Sequence, residues 1–86
     1  MTPRMPQKSD GLDVNEVDDG VIVYDESTDR VHHLNPTAAV ILEFCDGTRS
    51  APEIAQAVAE TFGLDAAPRE ETIACLEELV TQGLVS

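Results

Sequence analysis

Apolar and polar residues follow two different periods along this chain, and the change falls near Leu34. Before it, Leu12 to Val17 alternates apolar and polar, Val21-Ile22-Val23-Tyr24 is a compact β-branched run, and Val31 to Leu34 is a third short segment. Such patterns predict strands. Asp18-Asp19-Gly20 and the stretch from Asp25 to Asp29 separate the segments as turns, so the three strands form an antiparallel meander. Residues 1–11 carry Pro, Lys, Gln, Ser and Asp with no period and read as a mobile tail, with the ordered domain spanning 12–86.

After Leu34 the period becomes helical. Asn35 followed by Pro36 reads as an N-cap and a first-turn proline, and Ala38, Ile41, Leu42 and Cys45 make a stripe that ends at Gly47, predicting a helix over 36–46. Ser50 and Glu53 have capping-box spacing. With Ile54, Ala57, Val58 and Phe62 on one face and Gly63 at the stop, they predict a second helix over 51–62. A third begins at Pro68, carries Ile73, Leu76, Leu79 and Val80 as its stripe and Glu70, Glu71, Glu77 and Glu78 on its wetted side, and stops at Gly83. No internal repeat or low-complexity block is visible. Three strands then three short helices define an α+β domain in which neither part buries its apolar face alone. The small sheet has two edges, and an edge strand is a natural docking point for an extended peptide.

Composition narrows the function. The 86 residues, 42% apolar, suffice for one small core. Seventeen acidic residues against five basic ones give a formal charge of −12, which repels phosphate backbones and anionic lipid, so neither nucleic acid nor membrane is an expected partner. A DNA-reading helix is excluded on the same ground, because the third helix sets four glutamates against Arg69 alone. Cys45 and Cys75 are too few for a disulfide framework or a four-thiolate metal site and read as buried reduced thiols. No apolar run has spanning length, and the start lacks the apolar stretch of a signal peptide, so a cytoplasmic location is expected.

Little here suggests catalysis. His32-His33 invites a metal reading, but neighbours on a strand point to opposite faces and do not chelate one ion, so no metal or cofactor is expected. Asp46-Gly47-Thr48 lacks the alternating oxygen ligands of a calcium loop and reads as a helix stop followed by a new start. No nucleophile sits beside a histidine, and no glycine-rich phosphate loop follows a strand. An acidic carrier protein of this length would be all-helical with a serine in an Asp-Ser-Leu type motif, whereas Ser50 lies between Arg49 and Ala51.

His33-Leu34-Asn35-Pro36-Thr37-Ala38-Ala39, Phe44-Cys45-Asp46-Gly47-Thr48-Arg49-Ser50, Glu53-Ile54-Ala55, and Leu76-Glu77-Glu78-Leu79 with Gly83-Leu84-Val85 together resemble the PqqD-like family over about residues 12–86. Its members are small peptide chaperones, also called RiPP recognition elements. The resemblance implies a winged helix-turn-helix-like fold that performs no chemistry itself. The leader of a ribosomally made precursor peptide adds as a strand beside the third strand, its apolar side chains enter a groove walled by the third helix, and the complex is presented to a modifying enzyme, in many systems a radical SAM enzyme. On that reading the leader site is Val31, His32, His33 and Leu34 on the strand with Ile73, Leu76, Glu77 and Val80 on the helix. The backbone of Arg30 to Leu34 supplies affinity, the helix residues supply specificity, and the glutamates favour a basic leader. The open edge also suits a strand-mediated homodimer. A standalone protein is expected, although a module cut from a fused enzyme has the same appearance.

Overall fold

The computed structural model describes residues 3–86, in the order β1 (Leu12–Val17), β2 (Gly20–Asp25), β3 (Arg30–Leu34), α1 (Pro36–Phe44), α2 (Ala51–Phe62) and α3 (Arg69–Thr81). The strands form one antiparallel sheet in the order β1-β2-β3, with Val14 opposite Val23 and Val23 opposite His32. Alternation puts Val21, Val23 and Asp25 on the inner face of β2, all buried, and the helices pack there. Three antiparallel strands followed by three helices give the expected α+β, winged helix-turn-helix-like arrangement.

One shared core holds the layers together. Val21, Val23 and Leu34 from the sheet meet Ile41, Leu42, Ile54, Val58, Leu76 and Leu79 from the helices, and Leu84 and Val85 close the cluster from the C-terminal end. Each fully buried aliphatic side chain contributes about 1.5–3 kcal/mol against exposure. Sheet and helices are therefore stable only together.

The caps follow the sequence. Asn35 Oδ1 accepts from the amide of Ala38 at 2.8 Å. Ser50 and Glu53 form a reciprocal capping box, and Gly63 ends α2 in the left-handed region at φ 66°. α3 lacks a side-chain cap, but Glu70 and Glu71 lie in its first turn, where carboxylates offset the helix dipole.

Two expectations are corrected. Residues 6–9 are not part of a mobile tail. Pro6 is fully buried, Gln7 exchanges backbone hydrogen bonds with Ser86, Lys8 donates to the carbonyl of Cys45 at 2.7 Å, and Ser9 donates to that of Leu84. Backbone pairing needs no side-chain period, so the lack of one hid the strap. The part of the expected tail at residues 1–2 lies outside the described residues. The second correction follows from the first: α1 ends at Phe44 rather than 46, since the strap takes the Cys45 carbonyl and Pro6 accepts from Gly47.

Gly20 sits where β2 passes the end of β3. Its φ is +140°, and a Cβ there would lie 1.8 Å from the carbonyl oxygen of Leu34. Gly20→Ala is expected to cost about 2–4 kcal/mol. Gly63→Ala, with open space around it, should cost only the left-handed backbone penalty of roughly 1–2 kcal/mol. Urea unfolding of both variants checks the ranking, and equal losses would contradict the close approach.

Asp25 ends β2 as a buried carboxylate that accepts from the hydroxyl of Ser27 at 2.7 Å and from its amide at 3.0 Å. These bonds, the hydroxyl first, hold its carboxyl below the usual range. A folded-state value below the unfolded one stabilises the fold above the ordinary carboxylate range and is lost as pH falls through the folded value. Between about pH 5 and about pH 2, Asp25→Asn should therefore lose less stability than the parent chain, as read from urea midpoints across that range.

Candidate functional site

β3 pairs with β2 on one side only, and among the described residues no strand pairs with its other edge. The strap runs beside Asp46 and Val85 and leaves that edge uncovered. Val31, 64% exposed, and His33 occupy the outer face, while His32 and Leu34 face inward. His33 Nε2 lies 3.3 Å from Asp19 in the β1–β2 turn. His32 is half-buried beside Val23, and its Nε2 is buried without a partner. The adjacent histidines thus divide between the two faces as strand geometry requires, and among the described residues no group of three metal-ligating side chains forms.

A groove of about 140 Å³ opens where the end of β3 and the start of α1 meet the C-terminal half of α3. Leu34 and Leu79 are its apolar floor, His33, Asn35 and Ala38 form one wall, and Cys75, Glu78 and Gln82 form the other. Residues 75, 78, 79 and 82 are spaced i, i+3, i+4 and i+7, one face of a helix. The side-chain oxygen of Gln82 is buried without a partner, a hydrogen-bonding capacity that the chain itself leaves unused. Glu78 supplies negative charge. Backbone groups at an open edge, an apolar floor and a polar wall are the parts that hold an extended peptide: the edge bonds its main chain and the groove takes alternate side chains.

Of the eight residues expected at the site, only His33 and Leu34 line this groove. Leu76 is fully buried in the core and Leu34 is 6% exposed, so neither offers free surface as expected; Leu34 contributes only as floor. Ile73, Glu77 and Val80 lie away from the groove, and Val31 and His32 stay on the strand beside it. The reason is the phase of α3. Its buried residues are Thr72, Leu76 and Leu79, and at about 100° per residue Ile73, Glu77 and Val80 fall on one flank of that stripe while Cys75, Glu78 and Gln82 fall on the other. The end of β3, at His33 and Leu34, faces the second flank across the groove. Adjacent Leu79 and Val80 leave two phases open, and a buried threonine at position 72 selects the one that an apolar count discards. A half-buried cysteine beside that stripe is the available signal for the groove side.

The thiols differ. Cys45 is completely buried, donates to the carbonyl of Ile41 at 3.1 Å, and is pushed up to about 12 by burial. Cys75 is only half-buried, and burial together with the nearby Glu78 charge raises it less. Asp46 Oδ1 accepts from the hydroxyl and amide of Thr48, and Asp46 Oδ2 pairs with Arg49 at 3.1 Å. The Asp-Gly-Thr segment is thus a helix-to-helix turn. No helix among the described residues is long and apolar enough to cross a membrane.

Two solved structures share this architecture. A structure described as lasso peptide synthetase B1 complexed with the leader peptide superposes with a TM-score of 0.74 at 20% identity, covering 95% of this chain and 98% of that one. TbiB1 in complex with the TbiA(beta) leader peptide gives the same score and identity over 93% and 94%. No curated protein matches the chain. The fold is that of a small strand-edge domain with a three-helix cap. The chain belongs to the PqqD family, whose model, described as coenzyme PQQ synthesis protein D, matches residues 20–85.

A thiol reagent at about pH 8 should modify Cys75 slowly and Cys45 only after unfolding, because the thiolate is the reactive form and burial disfavours it. Mass spectrometry of the labelled peptides checks the order. Equal labelling of both thiols in the folded protein would contradict the packing around Cys45.

Proposed function

We propose that this protein is a non-catalytic recognition module that binds the leader of a ribosomally made precursor peptide along β3 and presents it to a modifying enzyme. The observation that carries the reading is the open edge of β3 lying beside a groove walled by α3. The PqqD family membership and the leader-bound state of both structural neighbours support it.

The leader adds as a fourth strand, bonding the outward backbone groups of Arg30 to Leu34, and places an apolar side chain over Leu34 and Leu79. Gln82 gives the groove a polar partner for that segment, and Glu78 together with the charge of −12 favours a leader with basic residues. Ordering a flexible leader offsets part of the contact free energy, so binding is of intermediate strength. The modifying enzyme, a radical SAM enzyme in many systems of this kind, acts on the presented core of the precursor.

An NMR titration of labelled protein with the leader of the precursor encoded nearest to it tests this reading. Shifts should concentrate at Arg30 to Asn35 and at Cys75 to Gln82. Cys75→Trp, which fills the groove from a half-buried position, should weaken binding by about tenfold or more while the amide spectrum of the core is kept. Saturable binding that leaves both segments unshifted would overturn the proposal.

A further inference from the structure

The opposite edge of the sheet carries a second concavity that leader binding at β3 leaves free. β1 is the other edge strand, and among the described residues only Leu12 at its start packs against the core, while the rest pairs with β2 and has no helix in close contact. Its inner face therefore overhangs α1, and a cleft of about 470 Å³ lies between them, more than three times the volume of the groove at β3. Val14, Val21, Ala39 and Val40 form apolar walls. Val14 and Val17 remain 44% and 42% exposed, large for β-branched residues on a strand. The cleft's charged lining is Glu16, Asp18 and Glu43 against Lys8 alone.

We propose that this cleft is a second docking surface, taking a basic segment of a partner protein that inserts an aliphatic or aromatic side chain between Val14 and Val40. The sign of the rim selects the occupant. Three carboxylates around an apolar slot attract lysine or arginine flanking an apolar anchor, while a second copy of this chain would set the same carboxylates against one another. Anionic lipid and nucleic acid are repelled for the same reason. The unpaired backbone of β1 adds hydrogen-bonding capacity along one side of the slot. Because β1 and β3 are opposite edges of the sheet, one molecule holds both occupants at once. The inference does not rest on leader binding.

The test uses the full chain and a display library of randomised peptides, selected on the parent protein and counter-selected on the Glu16→Lys/Glu43→Lys double variant. Both positions are exposed, and retention of the core amide spectrum verifies that the variant is folded. The expected peptides place Lys or Arg beside an aliphatic or aromatic residue, shift the amides of Glu16 to Val21 and Ala39 to Glu43, leave Cys75 to Gln82 unshifted, and bind the variant at least about tenfold more weakly. Neutral or acidic peptides, peptides that shift only the β3–α3 groove, or no recovered binder would each overturn the proposal. So would concentration-dependent self-association by sedimentation with shifts in the same cleft residues, since the occupant would then be a second copy.

Discussion

A three-stranded sheet and three short helices each have one apolar face and no second element of their own kind to cover it, and everything else in this molecule follows from covering both with one core. The contact that achieves this is narrow. Val23 on the central strand, Ile41 and Leu42 on α1, Ile54 and Val58 on α2, and Leu76 and Leu79 on α3 are all buried to within a few per cent. A core of that size reaches under β2, the end of β3 and only the first residue of β1, so one edge of the sheet ends beside a helix and the other overhangs a cleft. The two concavities are consequences of a core too small to cover the whole sheet.

The N-terminal strap completes the same arrangement from the other end of the chain. Its hydrogen bonds to Cys45, Leu84 and Ser86 join the end of α1 to the C-terminal segment, closing the helical layer on the side away from β3. Among the described residues, the outer edge of β3 is left unpaired while the strap spends its backbone groups on the helical layer. Free main-chain groups on an exposed strand are an association hazard, and the high negative charge opposes that hazard while leaving the edge open to a peptide of opposite sign.

Two of the polar atoms that the described residues leave without partners lie near the same face. His32 Nε2 is buried on the β3 edge strand, and Gln82 Oε1 is buried in the groove wall. Buried polar groups are normally satisfied, so two unpaired ones flanking an open strand are more informative than the groove's modest volume. The turns around them are fully bonded: Asp25 is satisfied by Ser27 and Asp46 by Thr48 and Arg49. Two of the three buried side-chain atoms without partners among the described residues thus lie at the candidate site, and the third, Thr72 Oγ1, lies in the core.

The element order was legible because its signals are local. Strand alternation from Leu12 to Leu34, the Asn35-Pro36 and Ser50/Glu53 caps and the stop at Gly63 each depend on a few neighbouring residues, and each appears where local chemistry puts it. The split of His32 and His33 between faces follows from backbone geometry in the same way. What the sequence could not determine is rotational and long-range. Whether α3 turns Cys75, Glu78 and Gln82 or Ile73, Glu77 and Val80 toward β3 depends on which row the other helices bury, and Leu79 beside Val80 allows either. Likewise, the strap from Pro6 to Ser9 is held by backbone bonds to residues more than thirty-five positions away, which leave no periodic trace in the sequence. The sequence by itself determined the elements and the edge; tertiary packing decided which helix face meets that edge, because the phase of a helix is set by its neighbours' burial and not by its own pattern alone.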